Sequence, residues 1–159
     1  MIERYTAGDD LRLGAPAPYG LALGHKHVPE MTVHAGLATN PVFMPIVANF
    51  YKGLAVSIPL HLRALGPGRT AEQLHATLMK RYENERFIRV MPLRDPDTLE
   101  KTYFDVQACN DTNRVDLFVF ASDDQAILIA RLDNLGKGAS GAAVQTMNVH
   151  LGLEESLGL

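Results

Sequence analysis

The sequence predicts an α+β fold, with a mixed, largely antiparallel sheet and helices packed on one of its faces. Residues 54–62, 114–121 and 126–132 are apolar segments of strand length, rich in Val, Ile and Leu. The polar residues 122–124 between the last two segments indicate a hairpin. Strand and helix patterns do not alternate regularly, as they would in a doubly wound parallel sheet. These features together favour the α+β class.

The first part of the chain is rich in turn formers. Residues 8–18 carry repeated Gly, Asp and Pro without a sustained apolar period, so we expect a segment that runs over the surface. Residues 19–24 predict a short buried strand. Pro29 suits the first turn of a helix, where Glu30 would lie near the positive end of the helix dipole. The predicted inner face of that helix is Met31, His34 and Ala35, or Val33 and Leu37.

Two apolar segments follow, at residues 42–50 and 54–62. They predict two strands that are joined or bent at Gly53. Each segment contains a proline, Pro45 in the first and Pro59 in the second. Because proline has no N–H to give to a strand ladder, each must lie at an edge, a bulge or a strand end.

A capping box marks the start of the next helix. Thr70 supplies the hydroxyl cap, and Gln73 is its partner three positions later. Leu74, Leu78 and Tyr82 continue an apolar stripe at i, i+4 spacing. This pattern predicts an amphipathic helix.

The rest of the chain predicts a strand, the hairpin and a last helix. Residues 87–91 form the strand, and residues 92–100, with prolines and acidic side chains, form a surface connection. Small residues from Ala139 onward lead into the last helix, which Gly152 is placed to end as a C-cap. We expect residues 1–159 to form a single domain.

Composition and charge narrow the classes of function. Lys and Arg number 15 against 18 acidic residues, so the chain lacks the basic excess that binds nucleic acid. Its apolar runs are much shorter than the roughly 20 residues of a membrane helix. The first residues lack the order of a secretory signal, and the single Cys109 has no partner for an internal disulfide. We therefore expect a cytoplasmic protein with no nucleic-acid or membrane partner.

Residues 24–30, with the sequence GHKHVPE, concentrate ionisable side chains at a predicted turn. In an extended segment residues two apart share a face, so His25 and His27 would point the same way, with Glu30 able to fold back. Imidazole changes charge near neutral pH, so a histidine held by a carboxylate suits general acid and base catalysis. The alternatives are ordinary surface turn residues, or a metal site with two His and a Glu as ligands.

Residues 132–141 form a glycine-rich turn between a predicted strand and a helix N-terminus. Glycines let backbone N–H groups approach a ligand, and the helix dipole together with Lys137 would attract a phosphate or a nucleotide. The established phosphate-loop and dinucleotide-binding glycine patterns are absent. Close packing around the glycines is the alternative.

Polar residues at positions 109–114 lead into the hairpin. We interpret Cys109 as structural, because an unpaired cysteine often behaves as a small apolar side chain. The alternative, a cysteine nucleophile, has no local sequence signature here. Arg114 at the start of a strand either clamps a carboxylate or phosphate through two parallel hydrogen bonds or forms a surface ion pair.

Three stretches in this order and spacing resemble the C-terminal half of the N-acetyl-gamma-glutamyl-phosphate reductases. They are residues 19–31, 112–120 and 130–145, and the resemblance extends over nearly the whole chain. It implies a catalytic and dimerisation domain like the C-terminal domain of glyceraldehyde-phosphate and aspartate-semialdehyde dehydrogenases. It also implies that the family's N-terminal NADP-binding Rossmann domain is absent from this chain, and that the protein forms a homodimer or homotetramer.

The resemblance implies a reaction as well. In the family, a cysteine in a Pro-Gly-Cys motif attacks N-acetyl-gamma-glutamyl phosphate, phosphate leaves, and NADPH reduces the thioester to N-acetylglutamate semialdehyde, a step of arginine biosynthesis. That motif does not occur in this sequence, so we expect one half of an oxidoreductase, inactive by itself. The alternatives are a non-catalytic dimerisation or binding module and a metal-dependent hydrolase that uses His25 and His27.

The same resemblance assigns roles to individual residues. His25 and His27 would face the nucleophile of the other half, with His27 favoured as the acid/base and Glu30 orienting it through a hydrogen bond. Arg114 and Lys52 would bind the substrate, Lys52 standing where many relatives have arginine. The cofactor-binding residues, near the nicotinamide end of NADPH, would be Asn134, Lys137 and Gly138.

Overall fold

The computed structural model describes residue 6 and residues 14–101 and 103–159. Residues 8–13, the first part of the predicted surface segment, therefore lie outside the described residues. Within the described ranges, no helix has both the length and the apolar character needed to cross a membrane.

The chain separates into two compact units, Met1–Tyr51 and Lys52–Leu159, and each carries its own sheet. In the first unit, strand β1 (Ala17–Pro18) pairs antiparallel with β2 (Ile46–Val47). Helix α1 (His27–His34) lies between these two strands in the sequence. The turn residues on both sides of α1 make up most of the described part of this unit.

The predicted strand at residues 19–24 is wrong. These residues form turns, in which Gly20 and Leu23 have φ angles of 65° and 58°, and Leu21 is 69% exposed. A left-handed backbone cannot continue a strand ladder, so the apolar pattern here does not become a strand. The predicted strand at residues 42–50 shortens to β2, because its only partner in the described sheet is the two-residue β1.

Helix α1 contains Pro29 in its first turn, as predicted, but its inner face differs from the prediction. Val28 is buried and both Met31 and Thr32 are half-buried, whereas Val33 is 74% exposed. The helix begins two residues before the proline, which brings Val28 and Thr32 onto the inner face at i, i+4 spacing. Of the predicted inner positions, Met31 alone is half-buried.

The described part of the second unit is built on a four-stranded sheet. Its strands are β3 (Leu54–His61), β4 (Ile88–Val90), β5 (Val115–Ala121) and β6 (Gln125–Leu132). Their spatial order is β3-β6-β5-β4; β6 is antiparallel to both β3 and β5, and β4 is parallel to β5. The predicted mixed, largely antiparallel sheet and its hairpin are therefore confirmed. Pro59 lies in β3, an edge strand, where a missing N–H is tolerated.

Helix α2 (Ala71–Tyr82) packs against β4 and β5. The predicted capping box is confirmed: the Gln73 N–H donates to Thr70 Oγ1 at 3.2 Å, and the Thr70 N–H donates to Gln73 Oε1 at 3.3 Å. Ala71 enters the core under the helix. That core consists of Leu62, Ala71 and Ala126, with Leu60, Leu74, Leu93 and Ala121 packed around them.

A short helix, α3 (Pro96–Lys101), lies in the segment predicted as a surface connection. Asp95 accounts for it, because its Oδ2 accepts hydrogen bonds from the Thr98 N–H at 3.0 Å and the Thr98 hydroxyl at 2.5 Å. A carboxylate that accepts from the first turn stabilises a helix start. The sequence prediction missed this cap.

The last helix, α4 (Gly141–His150), follows a π-helical turn at Gly136–Ser140. Gly152 has a φ angle of 68° just beyond its end. That left-handed conformation is the one expected of a glycine that closes a helix. The predicted last helix and its glycine stop are confirmed.

Candidate functional site

The side chains of His25 and His27 lie against each other in the first unit. Their ring centroids are 4.8 Å apart with an angle of 64° between the planes. The His27 backbone N–H donates to His25 Nδ1 at 3.3 Å. The contact arises at a helix N-terminus, where His27 is the first residue of α1, and not along the extended strand that the sequence predicted. The two imidazoles are thus paired by a tight turn.

His25 is enclosed by aromatic rings, whereas His27 is open to solvent. Tyr19 and Phe43 approach the His25 ring edge to face, with centroid distances of 5.9 Å and 5.1 Å. His25 is half-buried and His27 exposed. Because Nδ1 of His25 accepts the backbone hydrogen bond, the neutral ring carries its proton on Nε2. The His25 ring is therefore held in place by its neighbours, whereas the His27 ring is accessible from solvent.

Glu30 does not make the hydrogen bond that the sequence predicted. It is exposed in the first turn of α1 and, among the described residues, has no hydrogen bond or ion pair with either histidine. The spacing of three residues places Glu30 and His27 on neighbouring positions of the helix surface. In this structure, therefore, the carboxylate is close in sequence to His27 but does not orient it.

A metal-binding group was one alternative for these residues. Within residues 14–101 and 103–159, no three His, Cys, Asp or Glu side chains come together as a set that could hold a metal ion.

Lys52 is held by two carboxylates in the second unit. Its Nζ lies 2.5 Å from Asp111 Oδ1 and 3.4 Å from Asp133 Oδ2. The hydrogen bond with Asp111 raises the pKa of Lys52. The predicted substrate-binding lysine thus has its charge satisfied within the fold.

Asp133 is the centre of this arrangement. Its buried carboxylate accepts backbone hydrogen bonds from Asp111, Leu135 and Gly136 at 2.9 to 3.0 Å. The hydrogen bond from Gly136, with those from Asp111 and Leu135 and the charge of Lys52, lowers the pKa of Asp133 to about 2 despite its burial. Asp133 therefore joins three separate chain segments as a permanent anion at neutral pH.

Arg114 contacts a buried carboxylate, Asp116, which it shares with two further arginines. Nε of Arg114 lies 2.8 Å from Asp116 Oδ1, and NH2 atoms of Arg89 and Arg131 each lie 2.9 Å from Oδ2. Burial alone would raise the pKa of Asp116, but hydrogen bonds from Arg89, Arg131 and Cys109 lower it to about 2. The predicted guanidinium clamp is real, although its partner in this structure is internal.

Cys109 is completely buried beside this cluster. Its Sγ lies 3.3 Å from Asp116 Oδ2. Burial, followed by the hydrogen bond to Asp116, raises the pKa of the Cys109 thiol. The thiolate is the nucleophilic form of cysteine, so this environment agrees with the structural interpretation of Cys109.

The glycine-rich turn makes mostly internal contacts. Asn134 Oδ1 accepts from the Gly53 N–H at 2.8 Å, where the backbone of Gly53 has a φ angle of 126°. Lys137 Nζ donates to Gln145, and burial lowers the pKa of Lys137. A Cβ on Gly138 would lie 3.1 Å from a Leu132 methyl. Within the described structure, Asn134 hydrogen-bonds through its carboxamide oxygen and not through Nδ2, whereas Lys137 hydrogen-bonds through its Nζ.

Asp116, Arg131 and Asp133 were not among the predicted site residues. The sequence does contain a signal for two of them: Asp116 and Arg131 are charged residues within otherwise apolar strands. Charged side chains are rarely fully buried unless they are paired. An unexpected charge in a strand therefore predicts a buried partner, although the pattern does not say which residue that partner is.

The fold agrees with the comparison to known proteins. The profile of the semialdehyde dehydrogenase dimerisation domain matches residues 10–134, and this chain belongs to that family. N-acetyl-gamma-glutamyl-phosphate reductase 2 of Nostoc sp. is 46% identical over all of this chain. N-acetyl-gamma-glutamyl-phosphate reductases of Trichormus variabilis and Burkholderia lata are 46% and 44% identical over 100% and 95% of it.

These alignments cover only part of each relative. The chain spans 52% of the Nostoc and Trichormus proteins and 48% of the Burkholderia protein, or about half of their lengths. The comparison therefore relates this chain to one portion of those reductases.

Proposed function

We propose that this chain supplies the acid/base and dimerisation half of an NADPH-dependent N-acetyl-gamma-glutamyl-phosphate reductase of the cytoplasm. The observation that carries the proposal is the paired His25 and His27 at the start of α1, in a chain 46% identical to part of a reductase. The remaining half of such an enzyme would supply the nucleophilic cysteine and most of the nucleotide site. The chain would assemble as a homodimer or homotetramer.

In this proposal His27 is the acid/base and His25 positions it. His27 is exposed and so can reach a reacting oxygen supplied by another part of the protein. His25 is fixed by Tyr19 and Phe43 and accepts the His27 backbone N–H, which fixes the turn from which His27 projects. Glu30, in the first turn of the same helix, would orient His27 by a change of its rotamer.

Of the two proposed substrate-binding residues, Arg114 fits better than Lys52. Two carboxylates compensate the charge of Lys52, and one of them, Asp133, is itself held by backbone N–H groups. Arg114 shares the single carboxylate of Asp116 with two other arginines and retains uncompensated positive charge. An anionic substrate group would therefore be drawn to Arg114 rather than to Lys52.

Of the three residues proposed to bind the cofactor, Asn134 is the one that fits best, because of the hydrogen-bond donors it retains. Lys137 donates to Gln145 and Gly138 has no side chain to offer, whereas the Asn134 carboxamide makes its described hydrogen bond through its oxygen and not through its N–H donors. Asn134 would contact the nicotinamide end of NADPH, which supplies the hydride when it is bound.

The test joins this chain to the segment of the Nostoc relative that it does not cover. We expect the chain alone to leave NADPH unoxidised in the presence of N-acetyl-gamma-glutamyl phosphate, and the joined protein to oxidise it. His27→Gln should lower kcat of the joined protein by about 10²- to 10⁴-fold, the usual contribution of a general acid or base. His34→Gln, in the last turn of the same helix, is the matched control and should leave kcat unchanged.

Two results would contradict the proposal. One is reductase activity in the 159-residue chain without the other half. The other is a joined protein in which His27→Gln and His34→Gln retain the same kcat.

A further inference from the structure

The cluster around Asp116 has more positive than negative charge. Guanidinium groups of Arg89, Arg114 and Arg131 all contact the one carboxylate of Asp116, which leaves two positive charges in excess. The neighbouring Cys109 adds no negative charge, because burial raises the pKa of its thiol. The whole chain carries a formal charge of -3, so the net charge of this cluster is opposite in sign to that of the chain.

The Asp116 carboxylate also receives more donors than it has good positions for. Two nitrogens of Arg89, two of Arg114 and one of Arg131 lie within 3.5 Å of its oxygens, and Cys109 Sγ lies at 3.3 Å. A carboxylate offers about four lone-pair positions. The arginines therefore retain hydrogen-bonding capacity that Asp116 cannot use.

The three arginines differ in how much of that capacity faces solvent. Arg131 is buried, its guanidinium packs on the rings of Phe104 and Phe118, and its NH1 donates to the Asp105 carbonyl. The side chains of Arg89 and Arg114 are 50% and 33% exposed. Neither NH1 atom of these two makes a hydrogen bond within the described structure.

Strand pairing fixes the positions of these groups. Arg89 on β4, Asp116 on β5 and Arg131 on β6 are direct cross-strand partners. Arg114 lies just before β5, two residues before Asp116, and its Nε reaches the Asp116 carboxylate from there. Asp116 therefore holds the two exposed guanidiniums side by side before any ligand arrives, which reduces the entropy cost of binding.

We propose that Arg89 and Arg114 form a binding site for a small oxyanion, a phosphate or carboxylate group, with Asp116 and Arg131 as positioning residues. Two adjacent guanidiniums with free N–H groups match the planar or tetrahedral oxygens of such anions. The proposal deepens the substrate-binding role proposed above for Arg114, but its tests measure anion binding and not reductase activity, so either proposal can fail without the other. A phosphate ester and a carboxylate share the relevant chemistry, and the experiment separates them.

The first test uses the unaltered chain. Arginines are modified with phenylglyoxal, and the modification of each residue is followed by mass spectrometry at constant ionic strength in chloride, inorganic phosphate or glutarate. At an anion concentration ten times its dissociation constant, we expect Arg89 and Arg114 to be modified about tenfold more slowly. Arg81, which is 67% exposed, forms an ion pair with Glu85 and lies over the Tyr82 ring, is the internal control.

The second test compares Arg89→Gln with Arg81→Gln by titration calorimetry with phosphate. Loss of one charged contact should weaken binding by about tenfold for Arg89→Gln and leave Arg81→Gln unchanged. If Arg89→Gln does not fold, the protection experiment on the unaltered chain decides whether the two arginines bind the anion. Stronger protection by phosphate than by glutarate would identify a phosphate site, and the reverse a carboxylate site.

Three outcomes would overturn the proposal. One is the absence of protection by either anion. Another is equal protection of Arg81, which would show general screening by salt. The third is protection of Arg89 that appears without added anion as protein concentration rises, because it would mean that a second copy covers the cluster.

Discussion

Asp133 links several backbone groups of the second unit through one side chain. Its carboxylate accepts backbone hydrogen bonds from Asp111, Leu135 and Gly136, and it also attracts Lys52. Three peptide N–H groups that would otherwise lack a partner are satisfied by these oxygens. A neutral side chain of the same shape cannot replace it fully, because an amide NH₂ would face an N–H donor.

Asp133→Asn is expected to lower the free energy of unfolding by about 2 kcal/mol at neutral pH. The pKa of Asp133 in the folded chain is about 2, below its ordinary value of 3.8. Because the folded pKa is lowered, the stabilisation is fully present above pH ~4 and is lost as the pH falls toward ~2. Urea unfolding at several pH values measures the difference between the two proteins.

The matched control for that experiment is Asp123→Asn in the hairpin turn, which should behave as the unaltered chain. A stability difference for Asp133→Asn that stays constant from pH 7 down to pH 2.5 would contradict the assigned linkage.

Some of the site could be predicted at the level of residues, and some could not. The proximity of His25 and His27 followed from their spacing, although a helix start and not a strand produces it. The partners of Arg114 were not predictable, because Arg89 and Arg131 come from other strands. Spacing reports only local neighbours, whereas a buried ion cluster depends on how strands pair.

Helix α2 shows how a local pattern determines an element. Thr70 and Gln73 satisfy each other's backbone N–H groups at the helix start. The apolar stripe then faces the core through Ala71 and Leu74. All the required information lies within a few residues of the sequence, so the structure and the prediction agree.

Thr70→Ala is expected to destabilise the second unit by about 1 kcal/mol, because the Gln73 N–H loses its acceptor. Thermal unfolding followed by circular dichroism measures the change. Thr77→Ala in the same helix is the control, since the Thr77 hydroxyl donates only to the Gln73 carbonyl and such a bond adds little. Equal destabilisation by the two substitutions would mean that the capping box contributes nothing of its own.

The short elements were the least predictable. Residues 19–24 have an apolar pattern, yet Gly20 and Leu23 adopt left-handed backbone conformations. Helix α3 was missed because its start depends on one side chain, Asp95. Elements of two to six residues carry too little periodicity to outweigh such single contacts.

At the scale of the whole molecule, edge strand β3 exposes a row of apolar side chains. Leu54, Val56 and Ile58 alternate along the strand and are 39%, 43% and 53% exposed. Side chains two apart lie on one face of a sheet. We expect a second copy of the chain to cover this apolar row, because the chain belongs to a family of dimerisation domains.

Val56→Asp is therefore expected to weaken the proposed self-association of the chain, because a charge would be buried without a partner. Sedimentation velocity at several concentrations measures the shift. Ser57→Asp, one position further along β3 and on the opposite face, is the matched control and should remain dimeric. A chain that sediments only as a monomer before any substitution would contradict the predicted dimer.

The sheet type and the hairpin of the second unit could be predicted, but its strand order could not. Strand β3 pairs with β6 across more than sixty intervening residues, and β4 lies at the opposite edge, parallel to β5. Strand order depends on which non-local pairs bury the most apolar surface, and no window of the sequence contains that information.

The burial of Cys109 has a practical consequence for the study of this protein. It is the only cysteine of the chain, and its side chain is fully inaccessible. A thiol introduced at an exposed position such as Ser122 would be the single group open to maleimide dyes or spin labels. Distances and assembly could then be followed spectroscopically without first removing the native sulfur.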